Sequence, residues 1–271
     1  MATFQFHGKE IYYDVQGEGR PILFLNGIMM SCASWEAFVS SMTERNTFIR
    51  VDFLDQGNSA RMTEAYTQDL QVEVVHALLQ ELKLEKVTIM GVSYGGEVGM
   101  KFAIKYPQEV DRLILANTAP CTSNWLRDIG NCWNRVGESL DGEAYYDLAI
   151  PVIYSPNYYE RKKDWMANRR KILVPLFSTE EFQTRMKRLV NSAADHDCRQ
   201  DLDKIQAPTL VVSAQYDFLT PLHEQEYLVK HIKNVCHTII PDCGHASMYE
   251  QPMLFTSLVV GFANTSAEYN I

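Results

Sequence analysis

The 271-residue sequence predicts an α/β fold, in which a mostly parallel, doubly wound sheet is combined with an inserted helical segment. Over residues 1–118, short apolar runs alternate with helical periodicities at the spacing typical of βαβ units. Residues 119–204 keep the helical periodicity but carry little strand signal, and the alternation resumes over residues 205–271. We therefore expect one α/β core, made of residues 1–118 and 205–271, interrupted by a helical cap at residues 119–204.

The first core segment contains predicted strands separated by helices. Residues 10–15 alternate in polarity, and residues 22–25 form the continuous apolar run typical of a strand buried on both faces. Further strands are predicted at residues 48–53, 87–90 and 113–116. Apolar residues recur every four positions over residues 70–82, which predicts an amphipathic helix. A second helix, over residues 98–106, is expected to end before Pro107.

Prolines divide the predicted cap, and a second group of elements completes the core. Pro151, Pro156 and Pro175 are expected to break the helical stretch into pieces. The elements predicted after the cap are a strand at residues 209–212, a helix at 222–232, a strand at 238–240 and a helix at 253–263. The chain end, from residue 264 onward, is expected to be frayed.

Composition excludes several classes of protein. An apolar fraction of 46% and a charged fraction of 22% are globular values, so a disordered chain is excluded. A net charge of −9 disfavours binding to nucleic acid or to an anionic membrane. Neither a membrane-spanning apolar run nor a secretory signal is visible, and the six cysteines form no CxxC pair. We expect a cytoplasmic monomer or homodimer with free thiols and no metal site.

The sharpest chemical feature is the segment Gly91-Val92-Ser93-Tyr94-Gly95-Gly96. It follows a predicted strand and opens a predicted helix, which is the setting of a nucleophile elbow, G-x-S-x-G. Such a turn is tight enough to require small residues beside the serine. It presents the Ser93 hydroxyl at a helix N-terminus, where free N–H groups favour developing negative charge.

A serine nucleophile needs a base, and the base needs an orienting acid. Asp217 follows the predicted strand at residues 209–212, and His245 follows the strand at residues 238–240. Both therefore lie at the carboxyl ends of strands, where catalytic groups collect in α/β folds. The sequence predicts that Ser93, Asp217 and His245 form a catalytic triad.

An oxyanion hole requires two backbone N–H groups. Tyr94, directly after the predicted nucleophile, is expected to supply one of them. The loop after the strand at residues 22–25 is expected to supply the other, with Ile28 as the first choice and Met29 as the second. The substrate pocket is expected to include Asn26, Gly27, Met30 and Trp125.

Together these residues resemble the α/β-hydrolase superfamily, in its form with a helical cap. The resemblance covers nearly the whole chain and is carried by Asn26-Gly27, residues 52–59, the elbow, Asp217 and His245. The superfamily usually has His-Gly where this chain has Asn26-Gly27. The resemblance implies a serine hydrolase, a carboxylesterase or thioesterase, that cleaves a small, largely apolar ester through an acyl-enzyme. It implies no cofactor.

Several alternatives remain open at the level of sequence. Residues 25–29 and 93–96 locally resemble acyltransferases that make 3-(3-hydroxyalkanoyloxy)alkanoic acids from hydroxyacyl thioesters. Carbon–carbon bond hydrolases and cofactor-free peroxidases share the same triad, and a non-catalytic binding module of this fold is a further alternative. Basic clusters at residues 161–163 and 169–171 raise the hypothesis that an acyl carrier protein or coenzyme A thioester docks on the cap.

Overall fold

The computed structural model describes residues 2–266. Met1 and residues 267–271 lie outside the described residues, and so do the outer ends of the two predicted core segments and most of the predicted frayed end. The strands are β1 (Ala2–Phe6), β2 (Lys9–Gln16), β3 (Arg20–Leu25), β4 (Asn46–Val51), β5 (Val87–Val92), β6 (Val110–Ala116), β7 (Thr209–Ala214) and β8 (Val235–Ile240).

Helices connect these strands, and five of them follow one another between β6 and β7. The helices are α1 (Val39–Thr43), α2 (Gln68–Glu81), α3 (Tyr94–Lys105), α4 (Asn124–Gly137), α5 (Gly142–Ala149), α6 (Pro156–Arg161), α7 (Lys163–Phe177), α8 (Glu180–Ser192), α9 (Leu222–His231), α10 (Ser247–Glu250) and α11 (Pro252–Asn264). We call α4–α8 the inserted helices.

The strands form one eight-stranded sheet in the order β1-β2-β4-β3-β5-β6-β7-β8. Strand β2 runs antiparallel to both β1 and β4, and the remaining neighbours are parallel. The predicted mostly parallel α/β sheet is therefore confirmed. The sequence prediction missed β1, which pairs only with β2 at the sheet edge and carries just two buried side chains, Phe4 and Phe6.

Alternate residues of β3 enter two separate cores, which is what makes the sheet doubly wound. Leu23 and Leu25 pack in a cluster with apolar residues of α2 and α3. Ile22 and Phe24 pack in the other cluster, with residues of α11 and of the inserted helices. All four side chains are fully buried. Burial on both faces explains the uninterrupted apolar run that predicted this strand.

One of the three predicted proline breaks is wrong. Pro151 lies in a short turn between α5 and α6, and Pro156 is the first residue of α6, where its missing N–H costs nothing. Pro175, in contrast, lies inside α7. It is exposed near the end of that helix, as is Lys171, whose carbonyl would have received the missing hydrogen bond. Water can satisfy this exposed carbonyl, so the helix continues.

Two arginines of α8 tie the inserted helices to the loop after β4. Arg188 makes a two-pronged contact with the buried Asp55 carboxylate, at 2.6 and 3.0 Å. Arg185 donates to the backbone carbonyls of Asp55 at 2.8 Å and Gly57 at 3.1 Å. Two planar guanidinium groups thus fix the position of α8 over this loop.

The described residues also bear on membrane, metal and disulfide chemistry. Within residues 2–266 no helix is both long and apolar enough to cross a bilayer. In the same range no group of three His, Cys, Asp or Glu side chains is arranged to hold a metal ion. All six cysteines are free thiols, as the sequence predicts.

Candidate active site

Ser93 occupies a strained turn between β5 and α3. Its φ of 53° and ψ of −121° are unfavourable for a residue with a side chain. The surrounding backbone holds this conformation, since Ser93 N–H donates to the Ala116 carbonyl at 2.9 Å and the Gly96 N–H donates to the Ser93 carbonyl at 2.8 Å. The Thr118 hydroxyl donates to the same carbonyl at 2.8 Å. Strain fixed by several contacts is typical of functional positions.

Close backbone contacts explain the glycines of this turn. A Cβ atom on Gly91 would lie 2.3 Å from the Gly95 carbonyl oxygen, and one on Gly95 would lie 2.2 Å from the Leu25 carbonyl oxygen. Neither space can hold a methyl group. The first turn of α3 therefore packs directly against the end of β3, beside the loop that begins at Asn26.

Asp217 and His245 form a buried hydrogen-bonded pair. The His245 Nδ1 lies 2.9 and 3.0 Å from the two Asp217 carboxylate oxygens, and the two side chains are 8% exposed for His245 and 0% for Asp217. Asp217 also accepts from the N–H groups of Leu219 and Thr220, the Thr220 hydroxyl and the Asn117 amide, all at 2.8–3.0 Å. Burial opposes ionisation of Asp217, but the His245 imidazole and these donors outweigh it and hold the pKa below its ordinary value.

Ser93 and His245 line the same cavity, which has a volume of about 90 Å³. Most of the other lining side chains are aliphatic or aromatic and come from the loop after β3, the inserted helices and α10. They include Ile28, Met29, Met30, Trp133, Ile150, Leu173, Leu176, Phe177, Phe182, Leu219 and Met248. The cavity therefore suits an apolar group next to a nucleophile and a base.

The loop after β3 lies against Ser93. A Cβ atom on Gly27 would lie 3.7 Å from Ser93 Cβ, and Met30 N–H donates to the Gly27 carbonyl at 3.0 Å. Ile28 and Met29 line the cavity, and within residues 2–266 nothing accepts a hydrogen bond from their N–H groups. Tyr94, at the start of α3, has no intrahelical acceptor for its N–H. These are the three N–H groups that the sequence predicts as candidates for an oxyanion hole.

Asn26 lies outside the cavity, which corrects the sequence prediction. It is fully buried, and its amide donates to the Val51 carbonyl at 2.7 Å and to the Gln56 side chain at 3.2 Å. Its oxygen accepts from Trp35 Nε1 at 2.8 Å. Gln56 in turn donates to the Gly27 carbonyl at 2.9 Å. Asn26 thus fixes the position of the loop, and its neighbours Gly27 and Ile28 line the cavity.

Trp125 is the second predicted pocket residue that the structure places elsewhere. Its side chain is 54% exposed, and its Nε1 donates to the Phe218 carbonyl at 2.7 Å. Trp133, on the same face of α4 but two turns later, lines the cavity and is 4% exposed. Helical periodicity alone could not separate the two tryptophans, because one is exposed and the other is buried on the same helix.

A second cavity, of about 260 Å³, adjoins the first and shares Ile28, Ser93, Trp133 and Leu219 with it. Glu97, one turn after Ser93 on α3, also lines this second cavity. Burial raises the pKa of Glu97 to about 8. Glu97 is not among the residues predicted from the sequence, although an acidic residue in the first turn after an elbow is a visible signal.

Arg169 is a second lining residue, and its position differs from the docking role that the sequence suggests for residues 169–171. It belongs to the basic cluster at residues 169–171, but its side chain lines the cavity of Ser93. The neighbouring Arg170 contacts the exposed acids Glu143 and Asp147. The direction of each side chain depends on how α7 packs, which the local sequence does not specify.

Comparisons with known proteins agree with this architecture. A sequence profile of the family described as alpha/beta hydrolase fold matches residues 20–149 and 184–252 of the chain. The crystal structure of MGS-M2, an alpha/beta hydrolase enzyme from a Medee basin deep-sea metagenome library, covers 100% of both chains with 46% identity and a TM-score of 0.97.

Two curated relatives show how far the similarity extends. An uncharacterised protein of Mycobacterium tuberculosis is 32% identical over 154 residues, which cover 56% of this chain and 44% of that protein. The chain thus spans less than half the length of that relative. The pimeloyl-(acyl-carrier protein) methyl ester esterase of Nitrosomonas europaea is 25% identical over 259 residues, covering 91% of this chain and 97% of that protein.

Proposed function

The chain belongs to the alpha/beta hydrolase fold family, and from that premise we propose that it is an enzyme, a serine hydrolase of small, largely apolar carboxylic esters or thioesters. One observation carries the proposal. Ser93, in a strained turn at the start of α3, lines the same cavity as His245. The Nδ1 atom of His245 is hydrogen-bonded to the Asp217 carboxylate. A nucleophile, a base and an orienting acid are the parts that acyl transfer requires.

In the first half of the proposed reaction, Ser93 Oγ attacks the substrate carbonyl carbon while His245 Nε2 takes the hydroxyl proton. The Asp217 carboxylate fixes the imidazole tautomer and stabilises the imidazolium. The tetrahedral oxyanion accepts hydrogen bonds from the Tyr94 N–H and the Ile28 or Met29 N–H, each worth about 3 kcal/mol in the transition state. His245 then gives its proton to the leaving alcohol or thiol.

In the second half, water attacks the acyl-Ser93 carbonyl, and His245 accepts a proton from that water. Collapse of the second tetrahedral intermediate returns this proton to Ser93 Oγ and releases the acid. The inserted helices act as the cap in this proposal, because Trp133, Phe177 and Phe182 line the cavity from that side. Their apolar surfaces favour an alkyl or aryl group over a sugar.

A fluorophosphonate probe tests the proposal, because it labels only an activated serine. We expect labelling of the wild type, loss of labelling in Ser93→Ala, and labelling at the wild-type level in the exposed-serine control Ser40→Ala. Hydrolysis of 4-nitrophenyl butyrate should follow the same pattern. A wild type that reacts with neither reagent, or a Ser93→Ala variant that reacts normally, contradicts the proposal.

A second candidate function is acyl transfer to an alcohol acceptor. The second cavity favours it, since that cavity reaches Ser93 from the side of Tyr94 and could hold an acceptor in place of water. An acyl carrier protein or coenzyme A thioester would be the donor. The name of the Nitrosomonas europaea relative supports a carrier-bound substrate. Product analysis with and without a 3-hydroxy acid distinguishes the two functions: a hydroxy-acid ester indicates transfer, and free acid alone indicates hydrolysis.

The cellular location is part of the proposal. Six free cysteines suit a reducing compartment, so we propose that the enzyme acts in the cytoplasm.

A further inference from the structure

Arg169 brings a positive charge into a cavity that is otherwise almost entirely apolar. Its side chain, on α7, lines the cavity that contains Ser93 and His245. The guanidinium carbon lies 5.6 Å from the centre of the Tyr249 ring and 5.8 Å from that of Trp165. Aromatic faces can hold a guanidinium in place without neutralising its charge. The arrangement leaves the charge available to a ligand in the cavity.

Several other arginines of the inserted helices have acidic partners. Arg170 contacts Glu143 and Asp147, and Arg161 contacts Asp242. For Arg169, in contrast, no carboxylate of residues 2–266 lies within ion-pair distance. Its Nε is buried and has no hydrogen-bond partner in that range. A buried guanidinium donor without an acceptor is costly, because burial removes its water without replacing the hydrogen bond.

The titratable groups around Arg169 are either neutral or already paired. Burial raises the pKa of Tyr154 and of Tyr249, so both hydroxyls stay neutral and act on Arg169 only as neutral hydrogen-bond partners. The Glu250 carboxylate is already committed to the Ser155 and Gly244 N–H groups. Within residues 2–266 no carboxylate balances the charge of Arg169, and an anionic group on a ligand in the cavity would do so.

We propose that Arg169 recognises a free carboxylate on the substrate, so that the enzyme cleaves esters or thioesters that also carry a carboxylate. The inference rests on the proposed function, and it narrows the substrate class from apolar esters to ω-carboxylated ones. A guanidinium pairs with a carboxylate through two parallel N–H···O bonds, and the low polarity of the cavity strengthens that pairing. The apolar lining then holds the hydrocarbon part between the carboxylate and the ester.

Matched substrates test the proposal. The charged members are 4-nitrophenyl half-esters of C4–C8 dicarboxylic acids, and the neutral members are the same compounds with the second carboxyl methylated. At the best chain length we expect the wild type to prefer the charged member at least tenfold in kcat/KM. In Arg169→Gln the ratio should fall to about one, mainly through KM for the charged member, and Arg169→Lys should restore part of the preference. Acetate esters of ω-hydroxy acids, which carry the free carboxylate on the alcohol side of the ester, show which half of the substrate meets Arg169.

Arg170→Gln is the matched control, because it removes an adjacent cation whose partners are exposed acids. We expect it to leave the charged-to-neutral ratio unchanged. A wild type without preference for the charged member overturns the proposal. Equal losses on both members in Arg169→Gln also overturn it, since they would indicate that Arg169 only packs against Trp165 and Tyr249.

Binding without turnover separates this inference from the proposed function. Calorimetry with octanoate and octanol uses the full-length Ser93→Ala protein, with and without Arg169→Gln. We expect octanoate to bind more tightly than octanol only while Arg169 is present, with a loss of at least tenfold when it is replaced. Equal binding of both ligands overturns the carboxylate site, whereas fluorophosphonate labelling of Ser93 reports on hydrolase chemistry independently.

Discussion

The Glu250 carboxylate accepts a hydrogen bond from the Gly244 N–H at 3.1 Å, directly before His245 in the chain. The same carboxylate accepts from the Ser155 N–H at 2.9 Å and from the Ser155 hydroxyl. One buried acid on α10 therefore connects the loop that carries His245 to the start of α6 in the inserted helices. Glu250 is a positioning residue for the proposed base, acting through Gly244.

Replacing Glu250 with Ala should lower kcat more than it raises KM. Alanine removes the acceptor of all three donors, so the Gly244–His245 loop loses a fixed point, and an unmet buried donor costs about 1–3 kcal/mol. We expect kcat for a 4-nitrophenyl ester to fall about tenfold. Glu160→Ala, at an exposed residue paired with Lys163, is the control. A lower melting temperature with unchanged kcat would assign Glu250 to stability alone.

Replacing Asp217 with Asn should nearly abolish turnover while leaving the fold intact. The Asn amide can donate to His245 Nδ1, which favours the tautomer that cannot take the Ser93 proton. In serine hydrolases the wrong imidazole tautomer lowers kcat by roughly 10⁴-fold. Steady-state kinetics with a 4-nitrophenyl ester measure the effect, and Asp128→Asn, at an exposed acid of α4, is the control. A loss of less than tenfold would show that Asp217 does not orient the base.

The positions of Ser93, Asp217 and His245 could be predicted because each follows a strand that local pattern reveals. Parallel strands end at one edge of the sheet, so residues far apart in sequence meet there. The sequence offers no such rule for α7, where Arg169 and Arg170 are adjacent and chemically identical. Packing of α7 on Tyr249 sends one side chain into the cavity and the other toward exposed acids.

The departures from the sequence prediction share this cause. Trp125 and Trp133 satisfy the same helical periodicity, and only the tertiary position of α4 separates them. Asn26 directly precedes Gly27 and is predicted from the sequence as a pocket residue, yet three buried partners hold it behind the loop. Sequence patterns report which residues are suited to a role, while side-chain direction depends on contacts between distant elements.

Glu97 should make stability depend on pH. Burial raises its pKa to about 8 from the ordinary value of 4.5, so the folded state binds the proton more tightly than the unfolded state. The contribution of Glu97 to the free energy of unfolding is therefore largest below pH 4.5, and this contribution is lost as pH rises through 8. The loss is on the order of 5 kcal/mol at most.

Glu97→Gln should remove this dependence, because the neutral amide keeps the acceptor for the Gln68 side chain. Urea unfolding at pH 5 and pH 9 measures it. We expect similar stabilities of the two proteins at pH 5 and a more stable variant at pH 9. Glu81→Gln, at an exposed residue of α2, should match the wild type at both values. A wild-type advantage at pH 9 would mean that the Glu97 carboxylate is stabilised when ionised.

Arg188 should contribute more to stability than its neighbour Lys187, although both carry one positive charge on α8. Arg188 contacts the Asp55 carboxylate, whose side chain is fully buried, whereas Lys187 contacts the exposed Glu138. Arg188→Gln leaves Asp55 with neutral donors, which include the Met62 N–H at 3.1 Å and the Tyr66 hydroxyl. An uncompensated buried carboxylate costs about 3 kcal/mol, reduced somewhat here because Arg188 is partly exposed. We therefore expect the free energy of unfolding in urea to fall by about 2 kcal/mol for Arg188→Gln and not measurably for Lys187→Gln.

Equal effects of the two substitutions would show that the Arg188–Asp55 pair does not anchor α8 to the core. A second test follows from the same pair: Asp55→Asn with Arg188→Gln should be more stable than Arg188→Gln alone, since the double variant no longer buries an unpaired charge.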